Sequence, residues 1–306
     1  MTEKPIVGFV GLGLMGHGIA KNILKGGYEL WVKGRSRGPI ESLVALGARE
    51  AASLADLAAH CDVVQLCLSN SEQVEGVLRG EGGLIGTARP GLIVIDSSTS
   101  DPGSTATLAK ELGARGAIMV DAPLGRTPKE AEEGALDAMI GCDEATLATI
   151  APIVRCWAKA ITHVGPVGNG HKMKLLMNFI GMSYGAVFAE AVVLGAKIGV
   201  SPQMIRSVIA PSRMGNGFFD SFMRYVVDRD RDAHKFTIAN AAKDLRYIDK
   251  LADEARLMNV IASAVKQYYA HVEAIGRADD YVPMLTDHVG ALNGINMAEV
   301  VRRAAS

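Results

Sequence analysis

Through the first half of the chain, apolar residues come in short unbroken runs, each closed by glycine or polar residues and most followed by a stretch of helical spacing. Residues 5–10 (Pro-Ile-Val-Gly-Phe-Val) are one such run, and residues 28–32, 62–68, 92–96 and 117–121 repeat the pattern. Residues 135–141 and 160–164 look like two more, while 19–24 and 53–59 have helical spacing. Runs of this length predict strands, and their alternation with helices predicts a parallel sheet covered on both faces.

The pattern then changes. Residues 165–199 open with glycine and proline punctuation and read as one long helix ending near Gly199. Around residues 173–180 apolar side chains point in almost every direction, which predicts a helix buried on all sides. Beyond it no convincing strand occurs. Ser201 followed by Pro202 reads as an N-cap with proline in the first helical position. Helical runs follow at 203–209, 217–227, 238–257 and 260–275, and again near the end. The predicted architecture is therefore α/β: a Rossmann-type doubly wound parallel sheet followed by an all-helical second domain, joined by a long helix. The expected domains are residues 1–165 and 166–306.

Within the long helix Lys174 and Asn178 are four apart, and Gly181 lies a further turn along, so the three share one face. An ionised lysine in an apolar helix is costly unless it is paired or lines a cleft. The other reading is a lysine whose stem lies on the helix and whose ammonium reaches solvent. The residues alone leave both open, and the cleft between the two expected domains is where the first would place Lys174.

Composition narrows the function classes. Of 306 residues 49% are apolar, enough for a sizeable core, and the net charge of −1 comes from interspersed acids and bases. Neither a nucleic-acid surface nor a polybasic membrane surface is expected. The amino terminus lacks a signal-peptide core, and the most apolar window, 175–194, is interrupted by Asn178 and Glu190, so no membrane span is expected. Cys61, Cys67, Cys142 and Cys156 show no C-x-x-C pairing and read as free thiols in a reducing, cytoplasmic setting. The seven histidines are scattered, giving no metal site, and His171 reads as a helix-start histidine off the Lys174 face. An apolar helical second domain predicts a homodimer or homotetramer.

The first strand runs into Gly11-Leu12-Gly13-Leu14-Met15-Gly16 and then a helix. In that context G-x-G-x-x-G predicts a dinucleotide site: one glycine makes the turn, the second lets backbone approach pyrophosphate, and the third packs helix on strand. The helix amino end then offers free N–H groups and a positive dipole. After the second strand an NAD binder places an acid for the ribose 2′-hydroxyl. This chain has Lys33-Gly34-Arg35-Ser36-Arg37 instead. Missing acid and added cations favour NADP over NAD, with Arg35, Ser36 and Arg37 on the 2′-phosphate; the plainer reading is a solvated basic loop. Ligands of such sheets bind beyond the carboxyl ends of the strands. The loops to read are therefore Leu68-Ser69-Asn70, Asp96 through Ser98-Thr99 to Pro102, and Asp121 through Gly125-Arg126-Thr127 to Pro128.

Taken together these residues resemble the 3-hydroxyacid (β-hydroxyacid) dehydrogenase family over nearly the whole chain. The glycine motif resembles the family's cofactor signature. Ser98-Thr99 with Pro102 is similar to its Ser-Thr-x-x-Pro loop at the nicotinamide end. Gly168-Asn-Gly170-His-Lys-Met-Lys174 with Asn178 resembles its catalytic-lysine segment, and Lys243-Asp244-Leu245 its second-domain Lys-Asp-Leu. The resemblance implies Lys174 as general acid–base with Asn178 beside it, and Lys243, Thr99, Leu68 and Ser69 at the cofactor. It also implies Ser98, Gly125, Arg126, Thr127, Met177 and Gly181 at a small anionic hydroxyacid or aldehyde. The departures are specific. Where the family has Ser-Gly-Gly, this chain has Gly125-Arg126-Thr127, which resembles the sulfolactaldehyde reductase branch, in which that arginine grips a sulfonate. An arginine there offers forked donors to a carboxylate, sulfonate or phosphate. Met177 stands in place of the first of two paired asparagines, Gly181 in place of that branch's serine, and Ser69 in place of the usual proline. The rivals are an imine reductase on the same fold, which typically lacks the lysine, and a non-catalytic nucleotide-binding module.

Overall fold

A computed structural model describes residues 4–304. The chain divides into two compact units, Met1–Lys174 and Leu175–Ser306, so Lys174 is the last residue of the first unit.

The first unit runs β1 (Val7–Val10), α1 (Gly16–Lys25), β2 (Leu30–Lys33), α2 (Arg37–Ala45), β3 (Arg49–Glu50), α3 (Leu54–His60), β4 (Val63–Leu66), α4 (Ser71–Arg79), α5 (Leu84–Thr87), β5 (Ile93–Asp96), α6 (Pro102–Gly113) and β6 (Ile118–Asp121). These six strands form one parallel sheet in the order β3-β2-β1-β4-β5-β6. Successive residues point to opposite faces, and both faces are covered. Phe9, Val63, Ile93 and Ile95 enter one core cluster, while Val10, Val64, Leu66 and Val94 enter another. That double burial is why the strands read as continuous apolar runs. The order reverses between β1 and β4, which puts a crevice beyond Val10 and Leu66.

The unit continues with β7 (Leu124–Gly125), α7 (Pro128–Glu133), β8 (Leu136–Ile140), α8 (Glu144–Val154) and β9 (Ala158–His163). Here the expectation of a single parallel sheet needs correction. β7, β8 and β9 form a separate three-stranded sheet in which β7 runs antiparallel to β8. The physical reason lies in β9, where Lys159, Ala160, Thr162 and His163 are exposed. Such a strand suits a sheet edge and not the middle of a layer covered twice.

α9 (Asn169–Lys197) begins in the first unit and continues into the second. It is not buried on all sides: Met173, Leu176, Met177 and Ile180 are 41–51% exposed. Its buried face is Met182, Ala186, Ala189, Val192 and Val193, which packs on Phe219, Phe222, Tyr269 and Leu285 in the helical core. The remaining elements are α10 (Pro202–Ile209), α11 (Gly217–Asp228), α12 (Ile238–Glu254), α13 (Val260–Ala274), a 3-10 turn at Val282–Met284, α14 (Leu285–Leu292) and α15 (Met297–Arg303). Ser201 caps α10 by accepting from the Met204 N–H at 3.2 Å, with Pro202 first in the helix.

Candidate active site

The dinucleotide turn is built by steric exclusion. Gly11 has φ +97°, and a Cβ there would stand 2.2 Å from the Cys67 carbonyl oxygen. A Cβ on Gly16 would lie 1.9 Å from the Gly11 oxygen, so the turn closes only over glycine. Gly13 has nothing within 4 Å of its Cβ position, leaving its backbone open to a ligand. Leu12 is buried, Met15 half-buried and Leu14 80% exposed, so only Leu14 of the three adds nothing to the core. α1 has no side-chain cap and no acid in its first turn. Its amino-terminal dipole is thus left uncompensated, as a pyrophosphate site requires.

At the end of β2 the three cations have different fates. Lys33 donates to the Ala51 and Ala52 carbonyls at 3.2 and 2.6 Å. Arg37 pairs with Glu50 at 2.6 Å and Glu41 at 3.5 Å, which raises its pKa above the usual arginine value. Arg35 is exposed, and Ser36, at the head of α2, makes no capping bond with its side chain. Of the basic loop, then, Arg35 and Ser36 are the groups still open to a phosphate, while Arg37 is taken up by carboxylates.

The loops after β4 and β5 are brought together. The Leu68 N–H donates to Ser98 Oγ at 2.9 Å, and the Ser98 N–H donates to Asp96 Oδ1 at 2.9 Å. Ser98 is thereby buried, its hydroxyl oxygen committed to backbone, while Ser69 stays exposed and Thr99 half-buried. Asp101 and Pro102 start α6, Asp101 accepting from the Gly103 N–H at 3.0 Å.

The loop after β6 holds Gly125, Arg126 and Thr127. Arg126 Nε donates to Asp137 Oδ2 at 2.9 Å. The Thr127 hydroxyl and N–H both donate to Glu130, closing a capping box on α7. That bond holds the Glu130 carboxyl below its ordinary range. Thr127 thus spends its hydroxyl proton on the helix cap; Arg126 and Thr127 are both exposed, Gly125 buried. α7 is strapped to the dinucleotide helix. A Cβ on Gly18 would meet the Ala131 backbone at 2.6 Å, and Asn22 Nδ2 donates to the Gly18 and Ala131 carbonyls. Lys21 and His17 bind Glu132, holding its carboxyl below the usual range.

Lys174 stands on a helix whose start is fixed from β6. Asp121 is fully buried and accepts from the Gly168 N–H at 2.7 Å and the His171 N–H at 2.8 Å. Gly141 and Gly170 make room for it, since a Cβ at either would fall 2.3 or 2.8 Å from a carboxylate oxygen. The His171 ring is also fully buried; Nδ1 lies 2.8 Å from Thr105 Oγ1 on α6, and Nε2 is 3.8 Å from Asp96 Oδ2. Lys174 and Met177 follow on the same helix, Lys174 half-buried and Met177 exposed.

In the second unit Asn178 Nδ2 donates to Asp244 Oδ2 at 2.6 Å. Lys243 Nζ lies 3.2 Å from Asp244 Oδ1 and 5.5 Å from the Tyr247 ring centroid. Asp244, nearly fully buried, therefore binds both Asn178, expected beside the catalytic lysine, and Lys243, expected at the cofactor. Gly181 faces Phe218, whose ring lies 3.6 Å from its Cβ position. Sequence reasoning missed Asp121, Asp137 and Asp244 as partners; the only available signal was a carboxylate inside each of the quoted segments around Asp121 and Asp244, and none at Asp137.

A family model described as the NAD binding domain of 6-phosphogluconate dehydrogenase matches residues 6–165. A second, described as NAD-binding of NADP-dependent 3-hydroxyisobutyrate dehydrogenase, matches residues 168–286. The chain is 31% identical to 2-(hydroxymethyl)glutarate dehydrogenase of Eubacterium barkeri, covering 90% of this chain and 91% of that one. It is 29% identical to the chloroplastic glyoxylate/succinic semialdehyde reductase 2 of Arabidopsis thaliana, covering 90% and 76%. Among solved structures, 3-hydroxyisobutyrate dehydrogenase from Salmonella typhimurium superposes with TM-score 0.81 at 26% identity, covering 93% of this chain and 99% of that one.

Proposed function

We propose, from the premise that this chain belongs to the 3-hydroxyacid dehydrogenase family, that it interconverts a small anionic β-hydroxyacid, or hydroxy-sulfonate, and its semialdehyde with NADP(H), using Lys174 as general acid–base. The observation that carries this reading is the anchoring of the Lys174 helix by Asp121, the residue that ends β6 and begins the Arg126 loop. One strand end thus anchors the helix that carries Lys174 and begins the loop that carries Arg126, which supports giving the two cations complementary roles.

The bound dihydronicotinamide supplies the hydride. Gly11, Gly13 and Gly16 with the α1 amino end hold the pyrophosphate, and Leu68, Ser69 and Thr99 line the approach to the nicotinamide. In the reducing direction Lys174 hydrogen-bonds the carbonyl oxygen, stabilises the charge that develops there and delivers its proton. Asn178, one turn beyond Lys174 on α9 and held by Asp244, orients the lysine or the substrate. Arg126 binds the anionic end, beside the backbone of Gly125 and Thr127. Exposed apolar residues on α9 and α10, among them Leu194, Met204 and Val208, support a homodimer or homotetramer as part of the same reading.

NADP preference rests on Arg35 and Ser36. Arg35→Ala is expected to raise KM for NADPH about tenfold, the equivalent of one charge-assisted hydrogen bond, with KM for NADH within about twofold of the parent. Arg37→Ala should move the NADPH constant less, because Glu50 already occupies that guanidinium. Steady-state kinetics with both nicotinamides reads this; equal use of NADH and NADPH by the parent would remove the assignment.

The experiment that tests the whole reading is a panel of C3–C4 semialdehydes bearing carboxylate or sulfonate, each with both nicotinamides, beside a cyclic imine. Turnover of the semialdehydes alone is expected. Reduction of the imine alone would transfer the chain to imine chemistry, and no turnover of any would leave it a binding module.

A further inference from the structure

Three costs converge on the loop after β6. Arg126 has φ +80°, a left-handed conformation that favours glycine. Asp137, opposite Gly125 in the β7–β8 pair, keeps its Oδ1 buried with no hydrogen-bond partner. Gly125 has surrendered its side chain to the same carboxylate, since a Cβ there would meet Asp137 Cβ at 3.2 Å and Oδ2 at 3.6 Å. Strain, an orphaned polar atom and a lost side chain at one spot persist when the arrangement itself is used.

The arrangement is specific about which atoms it leaves available. Asp137 takes Arg126 through Nε at 2.9 Å, which fixes the plane of the guanidinium and leaves its end edge, with one N–H from each terminal nitrogen, as a fork for a ligand. Glu130, the other carboxylate close enough to act on this arginine, has its Oε2 turned to Thr127. The cation therefore meets a ligand with its charge already balanced by one fixed carboxylate and with a second close by.

We propose that Asp137 is the specificity-determining residue of the substrate loop: it aims the Arg126 fork and cancels its net charge, so that the site takes a short aldehyde or hydroxyacid with a monoanionic head, carboxylate or sulfonate, and turns away a phosphate dianion. A monoanion gains two parallel hydrogen bonds from the fork and leaves the Arg126–Asp137–ligand group with one net negative charge. A dianion gains the same two bonds but adds a second negative charge within reach of Asp137 and Glu130, while Lys129, the next cation along the chain, is turned to Glu133 at 3.9 Å. Asp137 touches no reacting atom, so it acts through Arg126 as a positioning residue.

The inference rests on the hydride-transfer reading above, and the test separates the two. Aldehydes sharing the OHC–CH2–CH2 unit, succinic semialdehyde, 3-oxopropanesulfonate and 3-oxopropyl phosphate (one ester oxygen longer), are assayed with NADPH near pH 8. The parent is expected to turn over the first two with KM at least about tenfold below that for the phosphate. Asp137→Asn keeps an oxygen acceptor for Nε and removes the charge. It should lower the phosphate KM about tenfold while the carboxylate KM moves less than about threefold, the effect lying in KM and not in kcat. Asp137→Ala, which loses the aim as well, should raise KM for both monoanions about tenfold. The parent alone gives a second reading that needs no variant to fold. As pH falls through about 6, the phosphate becomes a monoanion, and its KM relative to the sulfonate should fall. Turnover with a phosphate-to-carboxylate KM ratio that neither Asp137→Asn nor pH changes overturns this inference and leaves the oxidoreductase reading standing. No turnover of any of the three by the parent overturns both.

Discussion

Lys174→Met is expected to lower kcat by about two to four orders of magnitude, the range that a positioned general acid contributes, while NADPH binds with an affinity within about twofold of the parent. Methionine retains the unbranched apolar stem and good helix propensity, so α9 should keep its start at Asn169. The residues proposed for the pyrophosphate lie on another element, in a turn closed at Gly11 against the Cys67 carbonyl and at Gly16 against the Gly11 carbonyl. Single-turnover oxidation of NADPH with succinic semialdehyde measures the chemical step, and fluorescence titration measures cofactor binding. A variant that binds NADPH and keeps more than about a tenth of the parental single-turnover rate would remove Lys174 from proton transfer.

That separation of cofactor from acid also divides what the chain discloses in its sequence from what it does not. The β1–Gly-rich turn–α1 unit is legible because close backbone approaches at Gly11 and Gly16 leave no room for a larger residue. The six-stranded sheet is legible because strands covered twice are apolar at successive positions. β7 is not: two residues carry no periodicity, and no pattern says which sheet β8 and β9 join. The all-round apolar character of residues 173–180 predicts complete burial, yet four of those side chains remain exposed, because periodicity reports apolar directions and not the surfaces that meet them.

The site divides along the same line. Lys174, Asn178, Ser98 and Arg126 are legible as residue types in informative places. The carboxylate partners of Asn178 and Arg126 are not, because a single sequence names a side chain without its neighbour. Asp137 is eleven residues from Arg126 and Asp244 is sixty-six from Asn178. Nor does arginine announce a positive φ as glycine does; the strain at Arg126 is visible only in the backbone. Arg37 shows the converse error, in which composition counts a cation that Glu50 has already engaged.

The second large effect belongs to Asp121, which no substrate touches in this scheme. Both of its oxygens accept backbone N–H groups at the start of α9, from Gly168 and His171, in a fully buried setting. Asp121→Ala leaves two buried donors without partners, each costing roughly 1–3 kcal/mol, so a loss of about 2–6 kcal/mol of stability is expected for the first unit. At about 2–4 °C per kcal/mol for a unit of this size, its melting temperature should fall by roughly 4–24 °C. Asparagine should not rescue it well. Only one amide atom accepts, the other would face an N–H with an N–H, and Gly141 and Gly170 are already glycine to admit the carboxylate. Because the same bonds fix the turn that leads to Lys174, kcat should fall below the parent at temperatures where the variant is still folded, with NADPH affinity less affected. Circular-dichroism melting paired with kinetics well below the transition reads both terms. A melting point within about 2 °C of the parent would mean that solvent or relaxation satisfies those two N–H groups, and that Asp121 does not hold the helix.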